Sequence, residues 1–404
     1  MLLRTVFLFL LSTLLWSCGS TSSKKEVDGI IHVELNANLD NCRSVNLSAL
    51  AEDIQYIPLE TNDDSYLGRI RDVIVTDQFI FTHSSDAVMQ FNRAGKFIRK
   101  VGAIGKGPGE YARVYHLSVN QELQRVYVSA GGRQKLVVYD FLGNYIEEFP
   151  VPDQPGMAFD WIDSTSFLLH VRNPQGEKEI KAISFGVELD SIKGFTNHER
   201  FTVHGNGVFW MIPDRYFYHY QNKLHFRKLY GDTIFTCASP TEMKPIYKLE
   251  LGEKFIPVEK RIEYVEDMKR YQNYAGKYLN PIVYESEKWL FVSCMSFDYK
   301  GKIITGLYDK VNKEFYSVQT ASGSYGLLND LDGGQTFWPK RIYQDKYLCN
   351  WRNASAFKES FQKEDFQWGN AVSQQKQDEL KELVSHVKSE DNPIVVVATL
   401  KSES

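Results

Sequence analysis

The stretch VGAIGKGPGEY, residues 101–111, gathers Gly102, Gly105, Lys106, Gly107 and Gly109 into one short run. Glycines that bare their backbone N–H groups, with a lysine among them, are the ingredients of a phosphate cradle. Their order is wrong for one. A Walker loop needs Gly-Lys followed by Ser or Thr and then a helix, whereas Gly107 and Pro108 follow Lys106. A dinucleotide turn needs Gly-x-Gly-x-x-Gly, and Glu110 stands where the third glycine belongs. The run leads into YARVYHLSVN, a strand pattern rather than a helix. The remaining reading is a connection between two strands, with glycines supplying positive φ and close backbone approach. Glu110, Tyr111 and Arg113 on that bend are candidate ligand-facing residues.

Other constellations are sparser. LNDLDGG (Leu328 to Gly334) offers Asn329, Asp330 and Asp332, but a calcium loop needs more alternating oxygen ligands and a later Glu, so a solvated turn is the better reading. None of the nine histidines forms a dense metal spacing. His83 in FTHSSD and His204 in VHGNG sit at loop edges and are candidates to point inward. No Gly-x-Ser-x-Gly elbow is present. No cofactor is expected from these motifs, while a divalent metal held by carboxylates scattered along the chain stays open. WMIPDRYFYHY (Trp210 to Tyr220) is dense in aromatics that suit either stacking on a sugar or peptide or packing between sheets.

The elements that must position these residues repeat. VIVTDQFIFTHSSDAVMQFNRAGKFIRKVG, from Val73, and LSVNQELQRVYVSAGGRQKLVVYDFLGNYIEEF, from Leu117, each read as four short strands. Their tight turns match, Asn92-Arg93-Ala94-Gly95 against Asp140-Phe141-Leu142-Gly143, with Asn or Asp opening the turn and glycine closing it. Four antiparallel strands per 40 to 50 residues is the pattern of a β-propeller blade. Weaker copies begin at FDWIDSTSFLLHVR, KLHFRKLYGDTIFTCA, EKWLFVSC and RIYQDKYLCNW, which makes six blades. Blades bury their faces on neighbours, so the ring must close. IIHVELN (Ile30 to Asn36) is the expected closing strand. Two segments break the pattern: one from Pro257, and QQKQDELKELVSHVKSE, whose Leu380, Leu383, Val384 and Val387 form a helical stripe.

The N-terminus supplies an address. Residues 1–17 combine Arg4 with an apolar run from Val6 to Trp16, too short to span a bilayer comfortably and suited to a signal peptide. Leu15, Ser17 and Cys18 resemble a bacterial lipobox, which makes Cys18 the lipidation site, residues 18–29 a flexible tether and residues 30–404 one propeller domain. No later apolar run is long enough for a transmembrane helix. Cys42, Cys237, Cys294 and Cys349 lack a Cys-x-x-Cys spacing, and the last three, in strand-like runs, read as free and buried. The net charge of −4 offers no basic field for nucleic acid.

Taken with the lipobox, YIPLET (Tyr56 to Thr61), GRI (Gly68 to Ile70), NRAGKFIRKVG with GKGPGEY behind it, YGDTIF, LNDLDGG and the ending DNPIVVVATLK, the sequence resembles the six-bladed β-propeller lipoproteins of Bacteroidetes, NHL-like in blade pattern. The resemblance implies an all-β fold with one or two inserted or C-terminal helices. It also implies a lipid-anchored place in the cell envelope; no acidic run of the kind linked to surface export in this group follows Cys18, which favours the outer membrane facing the periplasm over surface exposure. Its members mostly lack an assigned activity. The expected function is a tethered binding module that engages a protein, peptide or glycan at one mouth of the channel. The alternative is a propeller hydrolase or lyase with a metal or a His/carboxylate set in that channel.

Overall fold

A computed structural model describes residues 29–68, 70–130, 135–152, 158–173, 176–187, 193–200, 217–261, 275–298, 301 and 303–402. The expected turns form as their chemistry dictates. Asn92 accepts the Ala94 and Lys96 N–H groups at 3.0 and 2.9 Å, and Gly95 closes the turn at φ +79°. Asp140 accepts the Asn144 N–H at 2.8 Å, and Gly143 sits at φ +81°. Turns of this kind fold the chain into six antiparallel sheets around a ring, a six-bladed β-propeller. The first strand of each blade lies innermost: Asp72–Val75, Val114–Asn120, Phe159–Trp161, Phe217–Tyr220, Leu279–Glu285 and Arg341–Tyr343.

Both faces of a blade meet neighbouring blades, so the middle strands are buried along their length rather than at alternate residues. In blade 2 every residue from Val126 to Ala130 and from Lys135 to Tyr139 is buried. Aromatic rings fill the seams: Phe81 of blade 1 meets Phe141 of blade 2 at 5.1 Å, and Tyr127 of blade 2 meets Phe167 of blade 3 at 5.0 Å. Such tilted and edge contacts add to area burial.

Ring closure departs from the sequence expectation. The outermost strand of blade 6 is Ala51–Pro58, which runs antiparallel along Ile394–Leu400. Ile31–Val33, inside the segment expected to close the ring, instead adds a parallel fifth strand to blade 4. Cys42–Arg43 does the same for blade 5. The N-terminal segment thus covers the outer edges of blades 4, 5 and 6 in turn, pairing N–H and C=O groups that an open edge would expose.

Helix Gln374–His386 carries the expected stripe: Leu380 and Val387 are buried, and Leu383 and Val384 pack on the same core. The Ser373 hydroxyl caps its start by accepting the Lys376 N–H. A second helix, Ala354–Gln362, was not expected; it buries Ala354 and Phe357 against the closing strand, where Phe357 meets Tyr56 at 5.9 Å. Most of the segment from Pro257, residues 262–274, lies outside the described residues. Cys237, Cys294 and Cys349 are free and buried, and Cys42 is free and exposed. Burial pushes the Cys237 and Cys294 thiols up to about 12.

Three histidines, His83, His170 and His225, lie buried in the second strands of blades 1, 3 and 4. Burial lowers their pKa values to about 4, 3 and 4. The unfolded chain takes up these protons near the ordinary value of about 6.5. Below that pH the unfolded state binds more protons than the folded one, so stability falls as pH falls. Each histidine contributes up to about 3 kcal/mol by this route. Urea midpoints should therefore drop steadily between pH 6.5 and 4, and replacing all three with glutamine should flatten that slope. An equal slope in the substituted protein would refute the assignment.

Candidate functional site

The inner strands leave a cavity of about 360 Å³ on the ring axis, lined by residues of all six blades. Each inner strand contributes residues at a different place in the chain. Asp72 comes from blade 1, His116 and Ser118 from blade 2, Asp160 and Trp161 from blade 3, Tyr218 and His219 from blade 4, Tyr284 from blade 5, and Arg341 and Tyr343 from blade 6.

Arg341 organises one side. Its Nη2 and Nε donate to the two carboxylate oxygens of Asp72 at 2.6 and 3.3 Å, a two-pronged pair. Its Nη1 donates to the Phe217 carbonyl at 3.2 Å, so one guanidinium ties blade 6 to its neighbour blade 1 and, past blade 5, to blade 4. Tyr343 adds a bond to the Val73 carbonyl at 2.5 Å.

The other side is a stack. Trp161 and His219 lie face to face, 3.7 Å apart and 16° from parallel. The Trp161 Nε1–H donates to the Val119 carbonyl at 3.2 Å, and His219 Nε2 donates to the Trp161 carbonyl at 3.0 Å. A carbonyl can only accept, so Nε2 carries the hydrogen and Nδ1 faces Asp160 at 3.8 Å. Asp160 also accepts the Ser118 hydroxyl and, at 3.0 Å, the Trp161 N–H. Burial holds His116 below its ordinary pKa. Just outside, Glu285 accepts from the Tyr218 and Tyr247 hydroxyls and from Lys310 at 3.1, 2.7 and 2.9 Å. Against these satisfied groups, the Tyr284 hydroxyl is buried with no hydrogen-bond partner.

One mouth of the cavity is bridged by the hairpins that follow the inner strands of alternate blades. Gln344 of blade 6 bonds Gln121 of blade 2. Asn222 of blade 4 donates to Glu122 of blade 2 at 2.7 Å, and the Gln221 N–H donates to Asp345 of blade 6 at 2.9 Å. Gln221, Asn222, Gln344 and Asp345 hold φ between +48° and +56°, which makes both hairpin tips left-handed without glycine. Burial, the largest influence, raises the Asp345 carboxyl above the usual range, and the Glu285 charge adds to it.

The residues that the sequence singled out lie elsewhere. The glycine run enters blade 2 at Val114, the opposite end of the inner strand from the Gln121–Glu122 hairpin. Ala103–Ile104 and Glu110–Tyr111 pair there as a short parallel ladder. Glu110 folds back to accept the Gly107 N–H at 2.7 Å. Tyr111 is buried, donating to the Val101 carbonyl at 2.8 Å and accepting the Val88 N–H at 3.2 Å. Arg113 is exposed, and none of the three lines the axial cavity. Gly102 (φ +72°) must be glycine, since a Cβ would fall 2.3 Å from the Tyr139 hydroxyl. His83 sits one strand out from the cavity, paired across the ladder with Asp72, its Nδ1 on the Ser84 carbonyl at 3.0 Å. His204 and Cys18 lie outside the described residues, as does Trp210 to Tyr216. Phe217–Tyr220 is the inner strand of blade 4, so that end of the aromatic run both packs between blades and faces the axis.

LNDLDGG is not a solvated turn. Asn329 and Asp332 are buried, and Asp332 accepts Asn329 Nδ2 and the Gly334 N–H, each at 2.7 Å. Asp330 accepts the Ser48 N–H at 2.9 Å, pinning the loop to the N-terminal segment. Asp332 thus serves local N–H groups and Asp330 a distant one. Among the described residues, no three His, Cys, Asp or Glu side chains come together in a metal-ligating set.

With the ring and its axial cavity established, the sequence can be compared with known proteins. Residues 30–399 match the family described as a domain of unknown function, DUF4934. The chain is a member of the DUF4934 family. No curated protein matches it. The DUF4934 chain is similar in structure to a Bacteroides fragilis protein inferred to be exported, with TM-score 0.69, 18% identity, and coverage of 92% of this chain and 100% of that one. It is also similar to a DUF4221 family member of Bacteroides vulgatus, at TM-score 0.47 and 10% identity, over 88% of this chain and 98% of that one. At 18% identity the likeness to the Bacteroides fragilis protein speaks for the fold alone. No helix among the described residues is long and apolar enough to cross a membrane.

Proposed function

We propose that this DUF4934 chain is an extracytoplasmic binding module that holds a small ligand in its axial cavity. The carrying observation is the cavity itself, of about 360 Å³, with a Trp–His stack on one wall and Tyr284, whose buried hydroxyl has no partner, among the residues that line it. Concave sites with apolar walls and a few placed polar groups are where small ligands bind, and a buried polar atom left without a partner asks for one. Convergent aspartates and histidines also meet the demand of the hydrolase or lyase alternative. Binding is favoured because Ser118 gives its proton to Asp160 rather than to His219, so the nucleophile–base–orienter sequence is not assembled. The test is a thermal-shift screen of small metabolites against the purified protein. Hits should lose their shift in Trp161→Ala; hits indifferent to that substitution would refute the reading, and turnover of a hit would move it to the alternative.

The lipobox supports a tether at Cys18, with the propeller held at the membrane by residues 18–29. In fractionated cells, Cys18→Ser should move the protein from the membrane to the soluble fraction. Unchanged membrane retention would exclude the anchor.

A further inference from the structure

We propose that the axial cavity selects a small organic cation, an amine with an apolar body; this rests on the reading of the cavity as a binding site. Four carboxylates line it, Asp72, Glu122, Asp160 and Asp345, against one guanidinium, Arg341. Arg341 is already committed to Asp72 and to the Phe217 carbonyl. An anionic ligand would therefore meet no uncommitted guanidinium on these walls.

The other three carboxylates are held chiefly by neutral donors. Asp160 takes the Ser118 hydroxyl and the Trp161 N–H, with His219 at 3.8 Å. Glu122 takes the Asn222 amide, and Asp345 takes the Gln221 N–H. Lys310, outside the cavity, is matched by Glu285. Carboxylates in a low-dielectric concavity focus a negative potential. A bound cation would favour the charged form of the Asp345 carboxyl, against the burial and the Glu285 charge that hold it high.

The rest of the wall suits the body of such a ligand. Trp161, Phe217, Tyr218, Tyr284 and Tyr343 present aromatic surface, and three of them have their polar ends tied to Val119, Glu285 and Val73. Aromatic faces attract cations, more strongly when water is excluded. Tyr284 differs: it is 3% exposed, and its hydroxyl lacks a partner.

The experiment is calorimetric titration of the full-length protein with a charge series on one carbon skeleton: hexylammonium, 1-hexanol and hexanoate, at low and high salt. Hexylammonium should bind about tenfold tighter than hexanol, with hexanoate weakest. High salt should narrow the gap, as should Asp160→Asn. Glu122→Gln, at an exposed hairpin, tests the same charge dependence should Asp160→Asn fail to fold. Hexanol binding as tightly as hexylammonium would overturn the cation proposal and leave the cavity a binding site. Hexylammonium affinity unchanged in both variants would also overturn the proposal. No binding by any of the three at millimolar concentration would overturn the cavity reading with it.

Discussion

A chain beginning at Leu59 should not fold. Removing everything before it takes away the outer strand of blade 6, whose seven register pairs run from Ile394↔Pro58 to Leu400↔Ala51. Ala51, Ile54 and Ile57 leave the core with it, and Ile394 to Ala398, buried in the intact ring, lose their cover. Burying one such aliphatic side chain contributes about 1.5–3 kcal/mol. Several together reach the 5–15 kcal/mol that typically separates native from unfolded. The loss also strips Ile31–Val33 from blade 4 and Cys42–Arg43 from blade 5. The measurement is urea unfolding followed by near-ultraviolet circular dichroism. The chain from Leu59 should show no cooperative transition, and a chain from Gly29 should show one. Ile54→Asp with Ile57→Asp in the longer chain should imitate the truncation. A cooperative transition at the parent midpoint in the shorter chain would show that the ring closes without this strand.

Arg341→Met should destabilise the protein by about 3–5 kcal/mol, the usual cost of stranding a buried charge. Asp72 and Arg341 are each about nine-tenths buried, at 12% side-chain exposure, so Asp72 would be left charged in a poor solvent. The same substitution removes the bond to the Phe217 carbonyl, and with it a tie between alternate blades. Adding Asp72→Asn should return much of the loss, because both charges are then gone. The double-mutant cycle isolates the pair from the packing change. A loss below about 1 kcal/mol for Arg341→Met would mean the pair behaves like a surface ion pair.

The two turns, Asn92 to Gly95 and Asp140 to Gly143, were legible because their chemistry is local: an amide or carboxylate that bonds its own backbone, and a glycine at positive φ. They sufficed to place the blades. The helical stripe at Leu380 and Val387 was legible for the same reason, as periodicity on one face. The closing strand was not. Ile30 to Asn36 and Ala51 to Pro58 both carry strand patterning, and only ring geometry decides which lies beside Ile394–Leu400. The cavity was hidden further. Its polar residues come singly, one or two per inner strand, separated by tens to hundreds of residues. The available signal was thermodynamic: a charge inside an otherwise apolar strand, such as Asp72 before Val73-Ile74-Val75 or Asp160 between Phe159 and Trp161, is costly to bury without a purpose. The conspicuous glycine run drew the eye because its residues adjoin in sequence. Its glycines shape a crossing at the end of blade 2 away from the bridged mouth.

The N-terminal segment also sets an order of events. Ile31–Val33, Cys42–Arg43 and Ala51–Pro58 are synthesised first, yet their partners lie at Tyr247–Leu249, Ser317–Val318 and Ile394–Leu400. Ile31–Val33 waits for Tyr247–Leu249 and Cys42–Arg43 for Ser317–Val318, while Ala51–Pro58 waits for nearly the whole of synthesis. Such segments pair readily with other chains. This leading end must stay shielded until the last blade arrives, so the ring is completed only when its earliest outer strand meets its latest one.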